Sequence, residues 1–155
     1  MPKIDISTVP EGKGTRYPAP YGEPCRDRHW RALGNAAGLT QFGVNLLTLD
    51  PGVWSSQRHW HTHEDEFVWV LEGEVVMVTD EGRELMRAGD CAGFPAGSRN
   101  GHHFINESDA PAKLLIAGSR DDKDACGYSD IDMHLHPSRY SDASPNYTRK
   151  DGTPF

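Results

Sequence analysis

Apolar and polar residues alternate in short runs through the middle of the chain, and each run ends at a Gly, Asp or Pro cluster. A period of two is that of a β-strand with one buried face. The pattern turns strand-like from Arg28, and residues 38–49, GLTQFGVNLLTL, read as a strand stopped by Asp50-Pro51-Gly52. Glu66 to Leu71 and Glu74 to Thr79 are two β-rich runs joined around Glu72-Gly73, which predicts a hairpin. Asp80-Glu81-Gly82 turns the chain into Arg83 to Arg87, and Ala88-Gly89-Asp90 turns it again. His102 to Asn106 alternates once more, a polar loop follows to Ala112, and Lys113 to Ala117 reads as the last core strand. Short strands at near-regular spacing predict an all-β barrel or jelly roll, with no helix of three or more turns and no internal repeat.

The flanks break this pattern. Residues 1–27 hold Pro2, Pro10, Pro18, Pro20 and Pro24, too many for a helix or a central strand, so an extended arm is expected there. Residues 28–120 make the barrel, and residues 121–155, polar and aromatic by turns, are expected to wrap it as a mostly irregular strap. A lone jelly roll leaves sheet edges with unpaired backbone groups, and an arm carrying Tyr17 and Tyr21 suits such an edge or a neighbouring subunit. A homodimer in which arm or strap crosses to the partner is the expectation.

Composition narrows the function. The 155 residues fit one domain large enough to fold without staples. A net charge of −7 and the lack of a Lys/Arg cluster argue against nucleic acid as a partner. The opening MPKIDISTVPEGKG has no apolar core and no run approaches a membrane span, so no membrane association and a cytoplasmic protein are expected. Cys25, Cys91 and Cys126 are odd in number and widely spaced, which reads as reduced thiols, with Cys91 a small core residue.

Candidate chemistry lies in GVWSSQRHWHTHEDEFVWVLEG, residues 52–73. On a strand His59 and His61 share one face with Trp60 turned away, and the carboxylate of Glu66 follows. A third imidazole comes from PAGSRNGHHFIN, where His102, Phe104 and Asn106 alternate on one face. Neutral imidazoles with a carboxylate suit a divalent transition metal, and ligands from two distant strands need a closed fold to meet. Around this set, Asp65 rivals Glu66; Glu64 and Asp65 otherwise read as solvated loop charges, and His63 as a surface or supporting residue. Trp54, Trp60 and Trp69 read as ordinary core rather than pocket lining, and Asn106 as a turn residue. Arg58 and Arg99 flank the two segments as possible cationic anchors or exposed solubilising residues. Asp132-Met-His134-Leu-His136 alternates too, but lacks an apolar strand and a third imidazole, and reads as part of the strap.

These residues also resemble a family. His59-x-His61, four residues, Glu66, six residues, Gly73 is similar to the first motif of the cupin superfamily. Gly89, five residues, Pro95-x-Gly97, then His102, three residues, Asn106 is similar to the second. Four residues rather than two separate Gly97 from His102, which makes His103 its rival; the spacing to Asn106 selects His102. The resemblance spans roughly residues 40–120 and implies a jelly-roll barrel, commonly paired as a dimer. It implies His59, His61, Glu66 and His102 as ligands of a divalent metal such as Zn, Ni, Fe, Mn or Co. It extends most closely to compact bacterial cupins, some labelled sugar-phosphate isomerases. An isomerase or lyase acting on a small polar or sugar-like metabolite is therefore expected; an iron-dependent dioxygenase and a non-catalytic small-molecule-binding module are the alternatives.

Overall fold

The computed structural model describes residues 3–140 and 146–155. The arm carries β1 (Glu11–Lys13) and leads to β2 (His29–Ala32), one helical turn α1 (Leu33–Ala36) and β3 (Phe42–Leu49). Next come β4 (His59–His61), β5 (Glu66–Glu72), β6 (Glu74–Thr79), β7 (Gly82–Arg87), β8 (Cys91–Phe94), β9 (His103–Ile105) and β10 (Ala112–Ser119). The strap adds β11 (Cys126–Tyr128), β12 (His134–Leu135) and β13 (Tyr147–Thr148). The strand expected from residue 38 starts at Phe42, because Leu33–Ala36 takes a helical turn and Gly38 adopts a positive φ of 71°.

The strands form an antiparallel sheet ordered β1-β2-β3-β10-β5-β8, facing two smaller sheets, β7-β6-β9 and β13-β12-β11-β4. Isolated bridges, Trp54 to Ile105 and His59 to His102, tie the two smaller sheets edge to edge, giving the second layer of a jelly roll. The hairpin expected between β5 and β6 does not form: β5 pairs with β10 and β8 in the large sheet, and β6 with β7 and β9 in a smaller one. The chain therefore passes from one layer to the other at Gly73, whose φ of 74° only glycine adopts easily. A Cβ there would also lie 2.8 Å from the Pro111 carbonyl oxygen.

Alternation places the core between the layers. Val68 and Val70 of β5, Leu47 and Leu49 of β3 and Leu114 of β10 point inward against Val75, Met86 and Phe104. A second cluster of Tyr128, Met133 and Leu135 receives Tyr17 from the arm and Tyr147 from the strap. Tyr17 sits edge-on to both Tyr128 and Tyr147, with ring centroids 5.8 Å apart in each case, so both flanking segments anchor on one aromatic knot. In the single chain described, β1 lies on its own β2.

Two core expectations fail for one reason. Cys91 is exposed and Trp69 is 44% exposed. Trp69 pairs directly with Cys91 across β5 and β8, and the odd-numbered residues of β5 face outward, away from Val68 and Val70. Period-two patterning says which residues share a face, but not which face another element covers.

Candidate metal centre

β4 carries His59 and His61 on one face and pairs with β11, setting Cys126 opposite His61 and Tyr128 opposite His59. Trp60, on the other face, packs so closely over Gly127 that a Cβ there would stand 2.4 Å from the indole. Glu66 opens β5, and the bridge to His59 brings His102 alongside. Ring centroids of His59 lie 5.0 Å from those of both His61 and His102. Potential ligand atoms of His59, His61 and Glu66 all fall within 4.8 Å of one another. His102 Nε2 stands 2.6 Å from Glu66 Oε2, and His61 Nε2 stands 4.0 Å from the same oxygen.

The outer nitrogens orient these rings. His61 Nδ1 lies 2.7 Å from Asp124 Oδ2, and His59 Nδ1 lies 2.9 Å from the Gln57 carbonyl oxygen. With Nδ1 donating to those oxygens, each Nε2 is left as a lone-pair donor, the arrangement that supports ligating imidazoles. His102 is held by its ring instead, stacked on Phe94 at 3.6 Å between centroids. Burial, reinforced by the neighbouring His102 and His61, pushes His59 well below its ordinary pKa, so its imidazole is neutral. Burial alone would raise Glu66, but the hydrogen bond from His102 and the surrounding imidazoles outweigh it and hold the carboxyl at about 2. The neutral His59 imidazole beside an ionised carboxylate fits a divalent transition metal.

The rivals fall outside this cluster. His103 turns away, with Nδ1 3.1 Å from the Ser56 carbonyl oxygen and its ring edge-on to Trp54. Asp65 accepts the Ala96 N–H at 2.8 Å and is exposed, while His63 is exposed and lies against the Thr62 hydroxyl. Asn106 is fully buried and stitches its own turn, donating to the carbonyls of Leu49 and Ala110 and accepting from Ser108. His134 and His136 contact one another, and His136 Nε2 is engaged by Thr148, so the strap pair joins no acidic cluster among the described residues. Metal analysis separates the two adjacent histidines: His102→Ala is expected to lose bound metal and His103→Ala to keep it. The reverse pattern would assign the third imidazole to His103.

Three residues of the site carry no motif in the sequence: Asp124, Glu64 and Arg139. Asp124 is fully buried, accepts from His61, from the His63 N–H and from Thr62, and is kept ionised by these bonds against the opposing effect of burial. Glu64, expected in solvent, is only 3% exposed. It accepts the Asp121 N–H, the Tyr140 hydroxyl and the Arg139 guanidinium, which compensates its burial. The strap that supplies Asp124 and Arg139 pairs with residues sixty or more positions away, which leaves no local signal. Asp124 and Cys126 also flank His61, but burial pushes the Cys126 thiol up, so a neutral thiol and an ionised carboxylate sit behind the imidazole.

The cluster borders a cavity of about 890 Å³ whose walls include Trp30, Asn45, Ile116, Arg28, Arg120 and Tyr140. Arg58 and Arg99 are absent from these walls: Arg58 is clamped by Asp80 and Asp130, and Arg99 lies over Trp60.

A family model described as a Cupin domain matches residues 45–118. The chain is 45% identical to a sugar phosphate isomerase from a cupin superfamily, from Silicibacter pomeroyi, over 99% of this chain and 96% of that one, with a TM-score of 0.93. A proposed sugar phosphate isomerase from Acidithiobacillus ferrooxidans is 27% identical over 81% of this chain and 78% of its own, with a TM-score of 0.73. A polyketide cyclase from Streptomyces resistomycificus, 22% identical with a TM-score of 0.61 over 78% of this chain and 80% of its own, shares the fold alone. No curated protein sequence matches the chain.

Proposed function

This chain belongs to the cupin superfamily, and from that premise we propose that it is a metal-dependent isomerase or lyase acting on a small polar, sugar-like metabolite. One observation carries the reading: His59, His61, Glu66 and His102 converge at the wall of a cavity large enough for such a molecule. Four protein ligands leave room for substrate oxygens on a six-coordinate ion, and a divalent metal there would supply Lewis-acid polarisation of a carbonyl or hydroxyl. The chain's own residues orient and enclose. Asp124 and the Gln57 carbonyl fix the imidazoles, Phe94 backs His102, and Asn45 offers a polar side chain on the cavity wall. The name carried by the Silicibacter pomeroyi protein favours a sugar phosphate among such metabolites.

The test is turnover of aldose and ketose phosphates by protein loaded separately with zinc, nickel, manganese, cobalt and iron. Isomer interconversion that stops on chelation is the expected result. Oxygen uptake confined to the iron form would replace this reading with a dioxygenase, and saturable binding without turnover would replace it with a binding module.

Assembly and location extend the proposal. Phe67, Trp69 and Leu71 stand 39% to 44% exposed in a row on the outer face of β5, an apolar stripe suited to a second copy of the chain. A homodimer is expected by light scattering at micromolar concentration, with Trp69→Glu shifting it to monomer. A monomeric wild-type chain would refute the dimer, and a truncated chain starting near Asp27 reports the arm's share in it. All three cysteines are free thiols, which agrees with the cytoplasm, and among the described residues no helix is long and apolar enough to cross a membrane.

A further inference from the structure

The arginines divide by counter-charge. Arg26, Arg31, Arg58, Arg83, Arg87 and Arg139 each pair with a carboxylate. Arg16, Arg28, Arg99, Arg120 and Arg149 pair with none among the described residues; Arg99 and Arg149 lie over the rings of Trp60 and Phe155, whereas Arg16, Arg28 and Arg120 line the cavity. A guanidinium withdrawn from water ordinarily takes an acid partner, as Arg58 does: its side chain is 14% exposed and holds both Asp80 and Asp130. Arg28, partly buried, donates instead to two neutral carbonyls, from Nε to Gly14 at 2.9 Å and from Nη1 to Ser55. Its fork is thereby fixed while its charge stays uncompensated, and its second terminal nitrogen has no partner among the described residues.

Arg16 makes no hydrogen bond or ion pair among the described residues. Burial raises the Tyr147 hydroxyl, and Arg16 and Arg28 both oppose that rise, so the two cations act on a single ring. Three of the cavity's four acids are engaged elsewhere, Glu64 with Arg139, Glu66 with His102 and Asp65 with the Ala96 N–H, while the fourth, Asp122, also lines the wall. Buried Ser55 and Ser56 run from the Arg28 contact towards the histidines, with Ser56 Oγ 3.4 Å from His59 Nδ1.

We infer that Arg16 and Arg28 form an oxyanion subsite that grips the phosphate or carboxylate end of a substrate whose other end reaches the histidine cluster. The second half of that statement rests on the proposed metal-dependent function; the subsite itself does not. A planar guanidinium with a free edge binds an oxyanion through parallel N–H donors, and a second cation beside it adds charge without further geometry. Both arginines precede residues 45–118, the part matched by the family model, so the arm and its junction with the barrel supply the recognition of charge while the matched segment supplies the metal ligands. Arg99, over Trp60 at 5.6 Å and outside the cavity walls, takes no part.

The experiment titrates chelator-treated, full-length protein with inorganic phosphate and, separately, with succinate, by calorimetry. Saturable phosphate binding is expected in the wild type and in Arg99→Met, weakened about tenfold or more in Arg28→Met and in Arg16→Met, and partly regained in Arg28→Lys. Arg28 also ties the arm to Ser55, so circular dichroism accompanies each variant; if Arg28→Met does not fold, Arg16→Met decides, since Arg16 is exposed and has no bonding partner among the described residues. Phosphate bound in preference to succinate identifies a phosphate ester as the substrate class, and the opposite preference a carboxylate. Failure of the wild type to bind either anion, or binding by the folded arginine variants equal to wild type, overturns the subsite. Metal titration of the same samples keeps the two readings apart. Metal uptake without arginine-dependent anion binding removes the subsite alone, and arginine-dependent anion binding without metal uptake removes the metal-dependent function alone.

Discussion

Replacing His59 or His61 with alanine is expected to strip most bound metal from the folded protein. Each substitution deletes one of the four converging side chains proposed as ligands, and neither ring is part of the main apolar core. Since loss of a mere supporting partner typically weakens a metal site by about 10- to 100-fold, loss of a ligand should exceed that range. Elemental analysis after gel filtration, together with calorimetric titration of zinc or nickel into chelator-treated protein, measures the effect. Full occupancy in both variants would show that the ion sits elsewhere or that none is bound. Loss in one alone would leave the other imidazole as an orienting group.

The second large effect is expected at Asp124, a residue outside both sequence motifs. Its carboxylate lies 2.7 Å from His61 Nδ1, is fully buried, and stands 3.6 Å from the Arg139 guanidinium. Asp124→Asn retains an acceptor for the imidazole but removes the charge that makes the ring more basic, so metal affinity should fall by about 10- to 100-fold with the fold intact. Asp124→Ala removes the acceptor as well, leaves the His63 N–H and the His61 ring unmatched in the interior, and should cost about 3 kcal/mol of stability or more. Urea unfolding of the metal-free variants separates stability from affinity. Wild-type metal affinity in a folded Asp124→Asn protein would reduce Asp124 to a purely structural acceptor.

Local pattern and spacing reached far into this molecule. Runs with a period of two, closed by Asp50-Pro51-Gly52, by Gly73 and by Gly82, specify strands and turns through steric and hydrogen-bonding constraints that act within a few residues, and the structure places strands at each of them. The same alternation sets His59 and His61 side by side, because parity along a strand is a local property. Parity also put Trp69 on one face, but whether that face is covered depends on what packs against it, and Trp69 and Cys91 are exposed although their pattern reads as core. Glu64 shows the converse: a charge in a polar loop is buried because Arg139 and Tyr140, seventy-five and seventy-six positions away, come to meet it.

The sequence by itself therefore determined the all-β class, the turn positions and which histidines share a face, all set by short-range geometry. Only the tertiary structure decided that His102 faces Glu66 while His103 faces Trp54, since one residue of register turns a side chain to the opposite side of a strand. It alone brought Asp124 behind His61 and placed Arg16 and Arg28, rather than Arg58 and Arg99, on the cavity wall. These contacts join segments distant along the chain, and their positions follow from how arm and strap anchor on Tyr17, Tyr128 and Tyr147, a long-range packing result that no local spacing encodes.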